Sequence, residues 1–212
     1  MYRMRSLVAV TLLAVLAVPA TAAAQVGKSV TIKSPNVATE AELSAVPGFT
    51  PALVKELMAR RPFLRQADFD AFLSGSLGAE QRAAAYARVF VPIDLNDVTD
   101  AEIRMIPGVG NRMLHEFREY APYRALAQFH REIDKYVDDA ELARLEQYVY
   151  VRIDLNTASD ADILSIPGMG NRMLHEFKEY RPYRAMAQFE REIGKYVDAK
   201  ELSRLKRYVE VR

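Results

Sequence analysis

The 212-residue chain contains no cysteine and no tryptophan, and its formal net charge is only +1. Without cysteine the protein can have neither a disulfide framework nor a lipoprotein anchor, so we expect its fold to be stabilised by packing alone. Half of the residues are hydrophobic, which is enough to bury one or more cores in a chain of this length.

An excess of charge of one sign is also lacking. The chain has 29 basic and 28 acidic side chains, whereas proteins that hold nucleic acid through charge are usually strongly basic. The balance differs along the chain: residues 93–152 carry 8 basic and 12 acidic side chains, and residues 153–212 carry 11 and 10. Composition alone therefore counts against a polyanionic partner.

No hydrophobic run reaches the length that spans a bilayer, which is about 20 residues. The longest, Leu7–Ala20, has 14 residues. It follows Arg3 and Arg5 and precedes three alanines at 22–24, which is the pattern of a secretory signal peptide. We therefore predict a signal peptide over residues 1–24 and an exported protein, periplasmic or extracellular. An uncleaved anchor is the alternative, and it would be the chain's only contact with a membrane.

The rest of the chain is dominated by an internal repeat. Residues 93–152 align with residues 153–212 without a gap, and 42 of the 60 positions are identical. Residues 35–92 share the landmarks in a more diverged form. The recurring landmarks are Asn36, Asn96 and Asn156; Pro47, Pro107 and Pro167; and Phe69, Phe129 and Phe189. We call these segments copy one (35–92), copy two (93–152) and copy three (153–212), preceded by a linker over residues 25–34.

Each copy predicts four short helices. The first begins at a capping box, in which a hydroxyl and a carboxylate three residues apart satisfy each other's backbone N–H groups, and it ends at a Pro-Gly pair. The boxes are Thr39 with Glu42, Thr99 with Glu102, and Ser159 with Asp162. The fourth helix begins at a second box, Asp138 with Glu141 or Asp198 with Glu201, and is expected to extend to Val209.

Short alternating pieces between the copies predict extended connectors that bury Ile153 and Leu155. The predicted fold is therefore all-α, a tandem array of three four-helix units with short extended connectors.

The turn between the first two helices reads IPGVGNRMLHEF from Ile106 and IPGMGNRMLHEF from Ile166. Two glycines let a backbone approach a phosphate closely, and the next helix directs its N–H groups and positive dipole end at it. Asn171 can cap that helix or donate to a phosphate oxygen, and Arg172 can add a charge-assisted contact. The candidate phosphate-binding residues are Gly108, Gly110, Asn111 and Arg112 in copy two and Gly168, Gly170, Asn171 and Arg172 in copy three.

From Ile153 to Tyr183 the chain resembles the helix-hairpin-helix module of the ComEA family of exported competence DNA receptors. The resemblance is carried by Asn156–Ser159 (NTAS), Pro167–Gly170 (PGMG) and Tyr180–Tyr183 (YRPY). It covers nearly all of copies two and three and, more loosely, copy one. It implies a helix-hairpin-helix fold that binds duplex DNA without sequence specificity, since contacts to phosphates position a protein without reading bases.

The chain departs from the family pattern at its second turns. The family pairs two such hairpins in a module, but the second turns of copies two and three read Tyr-Val-Asp where Gly-hydrophobic-Gly is expected. Asp138 and Asp198 therefore stand where a phosphate would approach. In copy one the first turn, Pro47–Thr50, lacks its second glycine. Leu174 is also larger than the alanine that is usual in the family.

Other constellations favour structural roles. His115 and His175 have no second histidine at i+4, so an HExxH zinc site is absent and a solvated helix face is expected. Tyr123 and Tyr183 follow a proline, and we expect them to pack rather than to stack on bases. The basic cluster Lys200, Arg204, Lys206, Arg207 and Arg212 either meets phosphates or complements a helix C-terminus. We find no nucleophile–base pair and no P-loop, so we predict neither an enzyme nor a cofactor.

Two hypotheses remain. In the first, an exported helix-hairpin-helix protein binds duplex DNA weakly at each unit and gains strength by avidity. In the second, a structural or protein-docking module of the cell envelope has kept the fold and lost DNA binding. An extrinsic protein of cyanobacterial photosystem II is a precedent, and copy one is similar to it at Pro47–Pro51 and Arg61–Phe63. The retained Gly-Asn-Arg favours the first hypothesis, and the near-zero charge favours the second.

Overall fold

The computed structural model describes residues 31–212, so the predicted signal peptide over residues 1–24 lies outside the described residues. Within residues 31–212 the fold is all-α, with twelve short helices and four strands of two residues each. No helix in this part of the chain is both long and apolar enough to cross a membrane.

The helices follow one another in three sets of four. Copy one contains α1 (Glu40–Ser44), α2 (Pro51–Arg60), α3 (Gln66–Ser74) and α4 (Ala79–Ala85). Copy two contains α5 (Asp100–Arg104), α6 (Asn111–Glu119), α7 (Leu126–Ile133) and α8 (Asp139–Glu146). Copy three contains α9 (Asp160–Ser165), α10 (Asn171–Glu179), α11 (Met186–Ile193) and α12 (Ala199–Lys206). The sequence repeat thus corresponds to a repeated order of helices.

Short parallel strands join the beginning of a copy to its end. In copy two, β1 (Ile93–Asp94) pairs with β2 (Val149–Tyr150), and in copy three β3 (Ile153–Asp154) pairs with β4 (Val209–Glu210). A single parallel bridge joins Val89 of copy one to Lys33, which lies in the segment predicted as a linker. Each set of four helices is therefore closed by backbone hydrogen bonds between its two ends.

The connectors are extended as predicted, and they bury Ile153 and Leu155, each 1% exposed. The prediction for Val209 was wrong. The fourth helix of copy three ends at Lys206, and Val209 lies in β4 opposite Ile153. A buried valine fits the apolar pattern of a helix and of a strand equally well. Val209 lies in a strand because it pairs there with Ile153, which is 56 residues away in the sequence.

The predicted capping boxes at Thr39, Thr99 and Ser159 are confirmed. In each, the hydroxyl accepts from the backbone N–H three residues on, and the carboxylate there accepts from the cap's own N–H. Such a cap is worth about 0.5–2 kcal/mol, which is substantial for helices of five or six residues.

The boxes predicted at Asp138 and Asp198 are half formed. Each aspartate accepts from the backbone N–H three residues on, at 2.9 Å for Asp138 and 2.8 Å for Asp198. The reciprocal bond is missing because the glutamates there bind arginines on the same helix, Glu141 with Arg144 and Glu201 with Arg204.

Buried aromatic side chains fill the interior. Phe117 and Phe129 meet edge to face at a centroid distance of 4.9 Å in copy two, and Phe177 and Phe189 do so at 5.2 Å in copy three. Copies one and two share one continuous hydrophobic core, and copy three forms a second. Tyr123 and Tyr183 belong to these cores, as predicted, and are 1% and 2% exposed.

Polar contacts connect the copies. Arg65 of copy one donates to the buried carboxylate of Glu102 in copy two at 2.6 Å. Arg207 of copy three donates to the carbonyl of Pro92 at 2.7 Å. The three copies therefore touch one another, and this places side chains of copy one beside the turns of the other two.

Candidate nucleic-acid interface

The Pro-Gly turns of copies two and three have the same backbone geometry. Gly108 has φ +84° and Gly168 has φ +79°, a left-handed conformation that favours glycine because a Cβ would clash with the backbone. The turn closes with a hydrogen bond from the Val109 N–H to the Ile106 carbonyl at 3.1 Å, and the equivalent bond from Met169 to Ile166 measures 2.9 Å.

The second glycine of each turn is the N-cap of the next helix. Gly110 and Gly170 have extended backbones, with φ −98° and −124°, and neither α6 nor α10 has a side-chain cap. The first N–H groups of a helix have no partner within the helix. At these two turns they are left without a capping side chain, which is the arrangement an anion would use.

The prediction that Asn171 can cap its helix was wrong. Asn171 is the first helical residue, and the N-cap position belongs to Gly170. In copy two the side-chain oxygen of Asn111 instead accepts from the Arg104 guanidinium at 3.3 Å. Because glycine holds the N-cap position, no side-chain oxygen caps the first N–H groups of α6 and α10.

All eight candidate residues are exposed, and so the structure places each predicted group of four together at a surface turn. The guanidinium of Arg112 lies 6.0 Å from the centroid of the Tyr136 ring. Hydrogen bonds to Tyr120 and Glu116 raise the pKa of Tyr136, so its phenol stays neutral. Within residues 31–212, neither Arg112 nor Arg172 forms an ion pair.

Three related turns cap their own helices. In copy one Thr50 replaces the second glycine, and its hydroxyl accepts from the Leu53 N–H at 3.2 Å. In the second turns of copies two and three, Asp138 and Asp198 accept the corresponding N–H groups. A side-chain oxygen thus occupies the place that an anion would take, which agrees with the expectation that these turns make poor phosphate contacts.

The copy-two turn opens onto a basic cleft that sequence reasoning missed. The cleft has a volume of about 630 Å³, and Arg82 of α4 and Arg104 of α5 line it beside Gly108 and Gly110. Arg104 is exposed. Arg82 is partly neutralised, because its Nε donates to Asp70 at 2.7 Å. No sequence signal places Arg82 here, since it depends on how copy one packs against copy two.

The copy-three turn faces an apolar cleft instead. Its volume is about 530 Å³, and Val37, Leu164 and Met169 are among the side chains that line it. Leu164 occupies the position of Arg104, and it is 40% exposed. A Cβ built on Gly168 would lie only 2.9 Å from Cγ1 of Val37 in copy one. The Arg104/Leu164 difference between two nearly identical turns was the signal available in the sequence.

An arginine from the fourth helix lies beneath each turn. Arg144 reaches Gly108, and Arg204 reaches Gly168, where its Nη1 donates to the Pro167 carbonyl at 2.5 Å. The side chain of Arg144 is 30% exposed and that of Arg204 is 3% exposed. The arginine beneath the turn is thus partly accessible in copy two and covered in copy three.

The basic cluster at the end of the chain makes mostly internal contacts. Arg204 is buried, Arg207 donates to the Pro92 carbonyl, and Lys206 pairs with Glu190 at 2.5 Å. Arg212 pairs with Glu210. Of the two roles that the sequence left open for this cluster, complementing a helix C-terminus agrees with the place of Arg204 and Lys206 in the last turn of α12.

The histidines lie on solvated helix faces, as expected. His115 and His175 are 73% and 72% exposed, and each Nε2 is 3.4 Å from a glutamate four residues on, Glu119 or Glu179. Residues 31–212 contain no group of three side chains placed to hold a metal ion.

Comparison of the chain with protein-family models, with curated proteins and with solved structures finds no match.

Proposed function

We propose that the three four-helix sets are helix-hairpin-helix units and that the protein binds duplex DNA without sequence specificity. The observation that carries this proposal is the pair of exposed turns in which a helix begins at glycine without a side-chain cap, next to an arginine without an ion pair. A phosphate of a duplex backbone is the anion that such a turn would take.

Helix N-termini and arginines act together on a phosphate. The backbone N–H groups at Gly110 and Asn111 point out of the helix start, and the helix dipole places a partial positive charge there. Arg112 adds a charge-assisted hydrogen bond, which is worth about 1.5–3 kcal/mol. None of these groups reads a base edge, so the proposed binding is independent of sequence.

The proposal requires weak binding at each turn. With 27 basic and 28 acidic side chains after residues 1–24, long-range attraction to DNA is small. Local contacts then supply the affinity, and tethering the units in one chain raises it through effective concentration. The predicted signal peptide supports a location outside the cytoplasm, and the proposed activity needs no cofactor and no catalytic group.

A matched pair of double variants tests the proposal in the chain from residue 25 to residue 212. Arg112→Ala with Arg172→Ala removes the two turn cations. Arg124→Ala with Arg184→Ala removes two other exposed arginines at equivalent positions and changes the net charge equally. Fluorescence anisotropy of a labelled duplex should show at least a tenfold loss for the first pair and little change for the second. Equal losses would mean that binding is general electrostatic attraction and not a property of the turns.

A protein-docking role is the second candidate, and one contact favours it. Val37 lies against Gly168, so at least one of these turns accepts an apolar protein side chain. A pull-down from the envelope of the producing cell that returns one stoichiometric protein, together with no duplex binding at low salt, would support docking over DNA binding.

A further inference from the structure

We propose that the two nearly identical turns have separate roles. The copy-three turn is an intramolecular joint that holds copy three against copy one, and the copy-two turn, together with Arg82 and Arg104, is where the duplex is held. The second half of this inference rests on the proposed DNA binding, whereas the first half does not.

The joint is an apolar contact across copies. Val37, in the short turn that precedes α1, lies against the Gly168 backbone so closely that even a methyl group on Gly168 would meet its Cγ1 at 2.9 Å. Leu164 and Met169 line the same cleft. Glycine at 168 is thus required twice, by its backbone conformation and by the approach of copy one.

The arginines beneath the two turns differ in their exposure. Arg204 hydrogen-bonds the Pro167 carbonyl and is almost fully covered, while Arg144, its equivalent in copy two, remains 30% exposed. An approaching phosphate would therefore meet, beneath Gly108, a guanidinium that is paired with Glu141 but still partly exposed. Beneath Gly168 it would meet the covered guanidinium of Arg204, which already donates to the Pro167 carbonyl.

The surroundings of the copy-two turn have the opposite character. Arg104 stands where copy three has Leu164, and α4 of copy one brings Arg82 to the same cleft. Arg112 completes a set of three cations around Gly108 and Gly110. Within residues 31–212, Arg82 alone of the three has a carboxylate partner, Asp70, so the set keeps a net positive charge beside a copy whose overall charge is negative.

Single variants in the chain from residue 25 to residue 212 test the assignment of the DNA site. Arg112→Ala should weaken binding of a labelled duplex by about tenfold, the effect of losing about 1.4 kcal/mol. Arg172→Ala should change it by less than about twofold, because Arg204 beneath that turn already binds the Pro167 carbonyl and the cleft beside the turn is apolar. Arg104→Leu, which gives copy two the residue of copy three, should weaken binding by several-fold and lower the salt slope by about one.

Equal losses for Arg112→Ala and Arg172→Ala would overturn the division of roles while leaving DNA binding intact. Failure of the unaltered chain to bind duplex near 20 mM salt, a roughly chosen condition under which phosphate contacts are strongest, would overturn both the proposed function and the assignment of the DNA site. The existence of the joint would then be tested only by the thermal stability of the glycine variants.

Two glycine variants test the joint without any ligand. Gly108→Ala and Gly168→Ala introduce the same backbone strain, since their φ angles differ by only a few degrees. Gly168→Ala also pushes against Val37, so its Tm should be about 2–4 °C lower than that of Gly108→Ala. Adding Val37→Ala to Gly168→Ala should remove the difference. Equal Tm values for the two glycine variants would show that no joint exists at this turn.

Discussion

The side-chain amide of Asn96 exchanges two hydrogen bonds with the backbone of Tyr123. Its Nδ2 donates to the Tyr123 carbonyl at 2.7 Å, and its Oδ1 accepts from the Tyr123 N–H at 2.7 Å. The same exchange joins Asn36 to Phe63 and Asn156 to Tyr183. In each copy this amide ties the connector before the first helix to the loop after the second, and so it fixes the two helices that form the turn.

Removal of this amide should destabilise the protein. Asn96→Ala leaves the backbone N–H and carbonyl of buried Tyr123 without partners, and each unsatisfied group costs about 1–3 kcal/mol. We expect the free energy of unfolding, measured by urea denaturation, to fall by about 2–4 kcal/mol. Asn96→Asp keeps the acceptor and loses the donor, so its free energy of unfolding should lie between those of the unaltered protein and Asn96→Ala. An unchanged urea midpoint for Asn96→Ala would show that water replaces the amide.

The buried contact between Arg65 and Glu102 predicts a dependence of stability on pH. Burial raises the pKa of Glu102, but hydrogen bonds from Arg65 and Thr99 outweigh it and hold that pKa below its usual 4.5. A carboxyl whose pKa is lowered by folding stabilises the native state above its unfolded pKa, and this contribution is lost as the pH falls below it.

The urea midpoint should therefore decrease as the pH falls from about 5 to about 3. Glu102→Gln should show a weaker decrease over that range, because the amide does not titrate. Asp100→Asn, a change at an exposed acidic position two residues away, serves as the control. The prediction is wrong if Glu102→Gln retains the full pH dependence of the unaltered protein.

The uncapped start of α6 predicts a stabilising substitution. Gly110 has an extended backbone that any residue can adopt, and a Cβ there would contact nothing within 4 Å. Gly110→Thr supplies the hydroxyl cap that Thr50 provides in copy one. Gly110→Val has the same shape without the hydroxyl. Thermal unfolding should show the threonine variant to be more stable than the valine variant by about 1 kcal/mol. Equal stability would mean that the first N–H groups of α6 already have a partner.

A disulfide can report the contact between copies one and three directly, since the chain contains no other cysteine. The Cβ of Val37 lies 3.6 Å from the Cβ position at Gly168, within the roughly 3.5–4.5 Å of natural disulfides. Val37→Cys with Gly168→Cys should cross-link on mild oxidation and run faster on a non-reducing gel. Val37→Cys with Gly108→Cys is the matched control and should stay open. Equal cross-linking of both pairs would contradict the contact.

Sequence reasoning succeeded where the determinants are local. The capping boxes at Thr39, Thr99 and Ser159 and the Pro-Gly turns each depend on a few consecutive residues, so their structure follows from short patterns.

It failed where distant segments decide the outcome. The pairing of Ile153 with Val209 and the approach of Val37 to Gly168 join residues far apart in the sequence, and no local pattern specifies either. The reciprocal bond to Asp138 was predicted wrongly, for a different reason. Glu141 had two partners within reach, and the charged Arg144 binds its carboxylate in place of a backbone N–H.

The salt dependence of duplex binding tests the central claim most directly. We would titrate a labelled duplex with the chain from residue 25 to residue 212 over a series of salt concentrations. Neutralising about two to four phosphates gives a slope of about −2 to −4 in log K against log salt, which is the result we predict. The absence of binding near 20 mM salt (a roughly chosen low value), or binding with no dependence on salt, would contradict a phosphate-binding role for these turns.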